Sequence, residues 1–417
     1  MTDRPLRVAL GLHSLQLGGS QINTVDLGVE LRDRGHDVTL WAIDAKRYEA
    51  TIDAHAAAAG FEIELLAAEH TVRAQARHVR DLVDRLDADV LHVHHENHWL
   101  GPVAAVATRS RPGCASVVTN WMMEHTHYLP RHASLIVGFP RLRDEAASHR
   151  PGPVFVLEPP VNTDRDRVDD ADSLVFRRGH GIDDDELLAV IVSRVDHDMK
   201  LVAIEHAITA TTVADLARLR LVIVGDGEAM PEVERAVRDA NDALGREAVL
   251  TVGAMSDPRP AYGAADIVFG MGGSALRGLA FGKPLIVQGD GTYTETFDPD
   301  SAAAFFEHGF HGAATDDPTA EAFARRIRAL VDPAVRERLG TFGRTVIDER
   351  YSLDVLAGRL EQIYRTSCDR PLHRWQRWSD AAYVLAYEWI GRTVPPERRQ
   401  AIRARIPALR SGKRTWT

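Results

Sequence analysis

Short apolar runs alternate with longer stretches of helical periodicity along this chain, and they do so in two separate series. In the first, β-type runs at residues 6–12, 37–43, 62–66, 89–94, 115–119 and 133–137 are interleaved with helical patterns at 21–34, 72–86 and near 100–109. That alternation predicts a doubly wound α/β domain, because parallel strands need a crossover helix between them. A stretch rich in Pro, Asp and Arg, Glu158-Pro159-Pro160-Val161-Asn162-Thr163-Asp164-Arg165, then breaks the pattern as a linker would. The alternation restarts with runs at 187–195, 219–224, 248–252, 266–269 and 284–288, followed by helical patterns at 320–330, 335–349 and 353–365. Three segments are expected: a domain at 1–158, a second at 159–366, and a helical tail at 367–417.

Composition limits the partners. With 417 residues, 45% hydrophobic and 26% charged, the chain is long enough for two ordinary cores. No run approaches the roughly 20 apolar residues of a membrane span, and the start of the chain carries no secretory pattern. Cys114 and Cys368 match neither a metal pattern nor a disulfide framework, so a cytoplasmic location is expected. The net charge of −10 argues against nucleic-acid binding, yet it is uneven. From residue 365 onward there are twelve Lys or Arg against four Asp or Glu, together with Trp375, Trp378, Trp389 and Trp416. The favoured reading of this tail is a helix packed on the first domain, with spare Trp residues serving a homodimer contact. The alternative is a membrane-surface element.

Three motifs in the second half carry chemistry: Ser193-Arg194 with Lys200, Gly225-Asp226-Gly227, and Gly282-Lys283-Pro284. Each is read as lying near the end of a β-type run, where open parallel sheets present loops to ligands. Two cations six residues apart, beside glycine backbone that permits close approach, predict a cradle for a diphosphate. Asp226 has an equally weighted alternative as a helix cap. In the first half, Gly18-Gly19-Ser20 offers backbone N–H groups where a strand turns into a helix. His92, His94, His95 and His98 have near-metal spacing but no complete zinc signature, so no metal site is expected.

The order of these motifs resembles the family-four retaining nucleotide-sugar glycosyltransferases of the GT-B fold. The resemblance covers roughly residues 6–366. It rests on Gly18-Gly19-Ser20 leading to Arg34-Gly35-His36, the linker Pro159-Pro160-Val161-Asn162, and Ser193-Arg194-Val195 with Lys200. It rests also on Val224-Gly225-Asp226-Gly227, Tyr262-Gly263-Ala264-Ala265-Asp266 and Arg350-Tyr351-Ser352. It implies two Rossmann-like domains facing a cleft, with C-terminal helices crossing back. It further implies a retaining, metal-independent transfer of sugar from a UDP- or GDP-linked donor to a small-molecule acceptor, with no cofactor. Arg194 and Lys200 would stabilise the leaving diphosphate. Gly18, Gly19, Ser20, Ser193, Gly225, Asp226 and Gly227 would approach the donor. His94, His95, Asn120 and Trp121 would lie on the acceptor side.

Two departures stand out. The family's His after the strand at 115–119 is replaced by Asn120-Trp121-Met122, so His125 and His127 are the candidates for its role. The family's Glu pair is missing: in Gly273-Ser274-Ala275-Leu276-Arg277, the donor-side segment, Arg277 stands at the second Glu position. An Arg cannot accept hydrogen bonds from ribose hydroxyls. These departures point to an unusual donor or acceptor, as in specialised-metabolite biosynthesis with O- or S-linkage. They also leave two competing readings: a catalytically silent nucleotide-binding protein, and a sugar-nucleotide epimerase of the same fold.

Overall fold

The computed structural model describes residues 4–44, 51–94, 100–197, 200–214, 216–289, 291–312 and 317–394. It resolves into two compact units, one from Met1–Pro160 with Leu353–Thr417 and one from Val161–Ser352. The first contains strands β1 (Arg7–Gly11), β2 (Asp37–Asp44), β3 (Glu64–Ala67), β4 (Val90–His94), β5 (Ala115–Asn120), β6 (Ser134–Val137) and β7 (Val154–Val156). They form one sheet in the order β3-β2-β1-β4-β5-β6-β7, parallel throughout. Helices α1 (Gly19–Asp33), α2 (Asp53–Ala58), α3 (Val72–Arg85), α4 (Leu100–Thr108) and α5 (Pro140–His149) make the connections. The start of α3 shows how local chemistry fixes a boundary: Thr71 Oγ1 accepts from the Ala74 amide at 3.1 Å. Val72, Ala76, Val79 and Val83 then recur on one buried face.

The second unit opens with α6 (Asp170–Gly179), capped by Asp169, and builds on β8 (Leu187–Val192), β9 (Leu219–Val224), β10 (Val249–Gly253), β11 (Ile267–Gly270), β12 (Leu285–Gln288) and β13 (Thr294–Thr296). Their order is β10-β9-β8-β11-β12-β13, with only β13 antiparallel. β9 (Leu-Arg-Leu-Val-Ile-Val) is buried at every position, as expected of a central strand covered on both faces. The covering helices are α7 (Leu201–Ala214), α8 (Met230–Leu244), α9 (Arg259–Ala264), α10 (Gly273–Ala280), α11 (Ala302–His308), α12 (Ala320–Ala329) and α13 (Pro333–Val346), the last running into a π-helical turn at Ile347–Tyr351.

The domain boundaries expected from sequence shift here. The helix expected at 353–365 is α14 (Leu353–Asp369), and it joins the first unit rather than the second. The reason is its apolar face: Leu353, Leu356, Leu360 and Tyr364 pack into the core made by Leu6, Val8, Leu10 and Val25. Tyr364 also bonds its hydroxyl to His92 Nδ1 at 2.6 Å, and His92 Nε2 bonds Thr119, which makes His92 a core residue.

The tail also begins as part of the first unit. Helix α15 (Arg374–Thr393) buries Asp380, Ala381, Val384 and Ile390. The Asp380 carboxylate, 2% exposed, accepts the backbone amides of Arg131, His132 and Ala133 and His132 Nδ1–H at 2.7 Å. This is the packed arrangement preferred from sequence; Trp416 lies outside the described residues. Replacing Asp380 by Ala strands three buried amides, which predicts a loss of about 3 kcal/mol in chemical denaturation. Limited proteolysis of the same variant should cut within 374–393, where the native chain is protected.

Candidate functional site

In the second unit the strand order reverses between β8 and β11, because β9 and β10 lie to one side of β8 while β11 and β12 lie to the other. Ligands of open α/β sheets bind at such a switch point, beyond the carboxy ends of the strands. A small pocket occurs there, lined by Ser193, Lys200, Gly270, Met271, Ser274 and Gln288 among others. Lys200 directly precedes α7, and its burial pulls the ammonium pKa down to about 8, with Arg194 adding repulsion and Asp196 opposing it. Ser274 lies in the first turn of α10; its Oγ donates to the Met271 carbonyl at 3.0 Å and lies 3.2 Å from the Met271 amide. A desolvated ammonium beside a helix N-terminus is an arrangement suited to an anion.

Arg194 is placed differently from Lys200. Its side chain is 77% exposed, with Nη1 3.6 Å from Asp196 Oδ2, so it stands in solvent beside the pocket. His197, which the sequence reading passed over, spans from the same loop to α8: its ring nitrogens lie 3.2 Å from Glu228 and 3.7 Å from Glu232. The hydrogen bond to Glu228 raises its pKa.

The glycine motif has a structural cause that the sequence did not disclose. Gly225 has φ +151°, and a Cβ there would lie 1.8 Å from the Ser193 carbonyl oxygen. A Cβ on Gly227 would lie 2.3 Å from the Val195 carbonyl. The two loops are bonded main chain to main chain, Ser193 N to Val224 O and Val195 N to Asp226 O, both at 3.0 Å. The glycines therefore admit a neighbouring loop, whatever else approaches them. Asp226 is exposed, accepts from the Gly227 amide at 2.8 Å, and does not cap α8, whose N-cap is Ala229.

Other donor-side expectations need correction. Gly282-Lys283-Pro284 precedes β12 and so lies at the amino edge of the sheet, away from the switch point; Gly282 with φ +66° ends α10. Ala275 and Leu276 are buried in the core, at 0% and 3% exposed, because they form the inner face of α10. Gly273 has open space around its Cα, consistent with an accessible helix start. Arg277 is engaged: its Nε lies 3.1 Å from Asp166 Oδ2, a carboxylate 1% exposed that also has Arg165 Nε 3.7 Å away. The positive charge of Arg277 is thus answered by an Asp from the segment that follows the linker.

In the first unit the corresponding reversal falls between β1 and β4. At its carboxy edge lie Gly18-Gly19-Ser20 and His94. Gln21, 4% exposed and not singled out from sequence, ties this loop together through Ser14 Oγ at 2.7 Å and His13 Nε2 at 2.9 Å. His94 is 1% exposed, with Nδ1 3.3 Å from Thr24 Oγ1 and 3.4 Å from the Gly11 carbonyl. Burial holds its pKa down to about 4, so the ring is neutral. Its Nε2 has no hydrogen-bond partner among the described residues, and Trp121 packs 5.1 Å from the ring. His95 lies outside the described residues.

Asn120 is buried and His125 and His127 are drawn elsewhere, while Trp121 stays beside His94. Asn120 is fully buried and spent on its own turn, bonding Glu124 O and the Met122 amide. Trp121 donates Nε1–H to Leu157 O at 2.8 Å while its ring meets His94. His125 and His127 cluster with His149, ring centroids 5.0 to 5.7 Å apart. His149 ends α5, at the opposite end of that helix from the carboxy end of β6, so the pair is drawn away from His94's edge of the sheet. Burial and the neighbouring histidines press the His125 pKa to about 3. No group of three or more His, Cys, Asp or Glu among the described residues could hold a metal ion.

Comparison with known proteins adds the following. Residues 172–346 match the family model described as glycosyl transferases group 1. The structure of a glycosyltransferase from Rickettsia africae ESF-5 is similar with a TM-score of 0.68 at 14% identity, over 87% of this chain and 99% of that one. HepE from Anabaena, solved with UDP-glucose, gives 0.64 at 15% identity, over 88% and 100%. A Listeria monocytogenes protein assigned as a UDP-N-acetylglucosamine 2-epimerase gives 0.60 at 10% identity, over 87% and 96%. No curated protein matches the chain. The fold is GT-B.

The two kinds of glycine separate experimentally. Gly225→Ala should cost about 3 kcal/mol or more in urea denaturation, since both the φ and the Ser193 contact forbid a Cβ. Gly19→Ala, where nothing lies within 4 Å, should stay within about 0.5 kcal/mol of the native chain.

Proposed function

We propose, from the premise that residues 172–346 form a glycosyl transferases group 1 domain, that this chain moves a sugar from a UDP-linked donor to a small hydroxyl- or thiol-bearing acceptor. The observation that carries this reading is Lys200, half-buried beside Ser274 and the start of α10 at the switch point of the second sheet. Breaking the bond between the sugar C1 and the diphosphate places negative charge on the leaving oxygen. A preorganised cation and helix amides meet that charge with little reorganisation. The exposed Arg194 is free to swing onto the other phosphate, where a guanidinium can bond two oxygens at once.

Among the described residues, those lining the Lys200 pocket include no Asp or Glu, and Asp196 is the carboxylate that acts on Lys200 from beside it. This favours retention by front-face attack: the acceptor oxygen or sulfur bonds to C1 on the side the diphosphate leaves, and its proton passes to the departing phosphate oxygen. Neutralisation by Lys200 and Arg194 supports a reaction that needs no metal. On the first unit, the neutral His94, whose Nε2 has no partner among the described residues, is the group we assign to the acceptor side. The Arg277–Asp166 pair favours a second reading, nucleotide binding without transfer, because it removes the carboxylate expected against the ribose.

Incubating the full chain with a panel of UDP-, GDP- and other nucleotide sugars and of alcohol and thiol acceptors tests this. The expected result is UDP release with a glycoside of unchanged anomeric configuration by NMR, and a drop in kcat of about 100-fold or more in Lys200→Ala. Epimerised donor in the absence of acceptor, or binding with neither transfer nor hydrolysis, would overturn it.

A further inference from the structure

Helix α15 buries one face and exposes an unusual other. Trp375, Trp378 and Trp389 are 63%, 48% and 62% exposed, the only tryptophans among the exposed large hydrophobics of the described residues. At 3.6 residues per turn they fall within roughly 60° of one another on the side opposite Asp380 and Val384, over about 21 Å of helix. Isolated exposed apolar residues need no explanation, but three indoles along one stripe do.

The exposed side of α15 presents basic residues, and the helix keeps its own acidic residues paired. Both acidic residues of α15 are taken inward: Asp380 by the amides of residues 131–133, and Glu388 by the Val72 amide at 3.0 Å and Arg392 at 3.1 Å. Arg374 is exposed at the start of the helix. Arg109 stacks over Trp378 at 5.5 Å, and its pKa is lowered by burial and by the nearby Arg80 and Arg73. Residues 395–417, next in sequence, carry seven Lys or Arg against one acidic residue. That composition is basic in a chain that as a whole is at −10.

We infer that the Trp375-Trp378-Trp389 face of α15 docks on an anionic membrane surface, with the indoles at headgroup depth and the arginines on lipid phosphates. Tryptophan combines an apolar body with an N–H donor and prefers that boundary, and each nearby cation adds attraction to an anionic leaflet. A symmetric contact with a second copy is disfavoured, because it would bring Arg374 and Arg109 of each copy to one like-charged face. The helix lies on the surface and does not cross it: no helix among the described residues is long and apolar enough to span a membrane.

Sedimentation of the full chain with vesicles tests this. Binding is expected to mixed phosphatidylglycerol and phosphatidylcholine vesicles, weakening by about tenfold on phosphatidylcholine alone and falling steeply with salt. The variant W375A/W378A/W389A should lose binding by about tenfold or more, and Trp389→Ala alone, which removes one exposed ring, should fall in between. UDP binding should match the native chain in both variants, and the thermal midpoint should be native-like in Trp389→Ala, since Trp375 and Trp378 also pack on His132 and Arg109; this keeps the test separate from that of the proposed activity. Equal binding to anionic and neutral vesicles, or native-like binding by the triple variant, overturns the inference. So does a concentration-dependent dimer that the triple variant abolishes without any vesicle binding, which would give the face to a second copy.

Discussion

Two loops of the second sheet pass so closely that only glycine fits between them, and the arrangement of the candidate anion site follows from that approach. Ser193 and Val195 donate their amides to Val224 and Asp226 carbonyls, Ala229 returns a bond to Val195, and Gly225 donates to Gly253 at 2.8 Å. This main-chain lattice ends β8 at Val192 although Val195 remains buried, and it directs the following residues toward α7. Lys200 is thereby held at the switch point with its stem in apolar surroundings and its ammonium partly stripped of water. Without the lattice the same lysine would be an ordinary surface cation. Its affinity for a phosphate would then be screened by solvent and salt.

The electrostatics of the second unit are divided. At the carboxy edge, Lys200 and Arg194 stand together with Asp196 beside both. Further along α10, Arg277 is bound to the buried Asp166, so its positive charge is neutralised locally. The pair keeps the buried Asp166 carboxylate from standing as an uncompensated charge, which would be strongly destabilising. The Lys200 edge of the second sheet thus presents cations to a ligand, while the cation of Arg277 is already engaged.

Much of this was legible in sequence, and the exceptions have physical reasons. Long buried strands and amphipathic helices announced themselves by period, so β9 at Leu219–Val224 falls where the apolar run placed it. β7, with three half-buried residues, and β13, a Thr-Glu-Thr edge strand, carry too little periodicity to be seen. The segment Gly282-Lys283-Pro284 looked like a ligand loop because glycine marks turns at both edges of a sheet, and only topology says which. His125 and His127 could not be placed because their neighbour His149 is distant in sequence. Gln21 and His197 escaped notice since polar residues that tie loops leave no periodic signal.

The most direct test of the Lys200 site is the pH dependence of UDP binding by calorimetry. The free protein holds Lys200 at about pKa 8, below its ordinary value because of burial, so its proton is present below that pH and lost above it. A diphosphate that needs the ammonium should bind with near-constant affinity up to about pH 7.5 and then weaken by up to about tenfold per pH unit. Lys200→Met should bind weakly and without that slope. Native affinity that is flat from pH 7 to 9.5, or a Lys200→Met chain that binds UDP as tightly as the native one, would contradict the account.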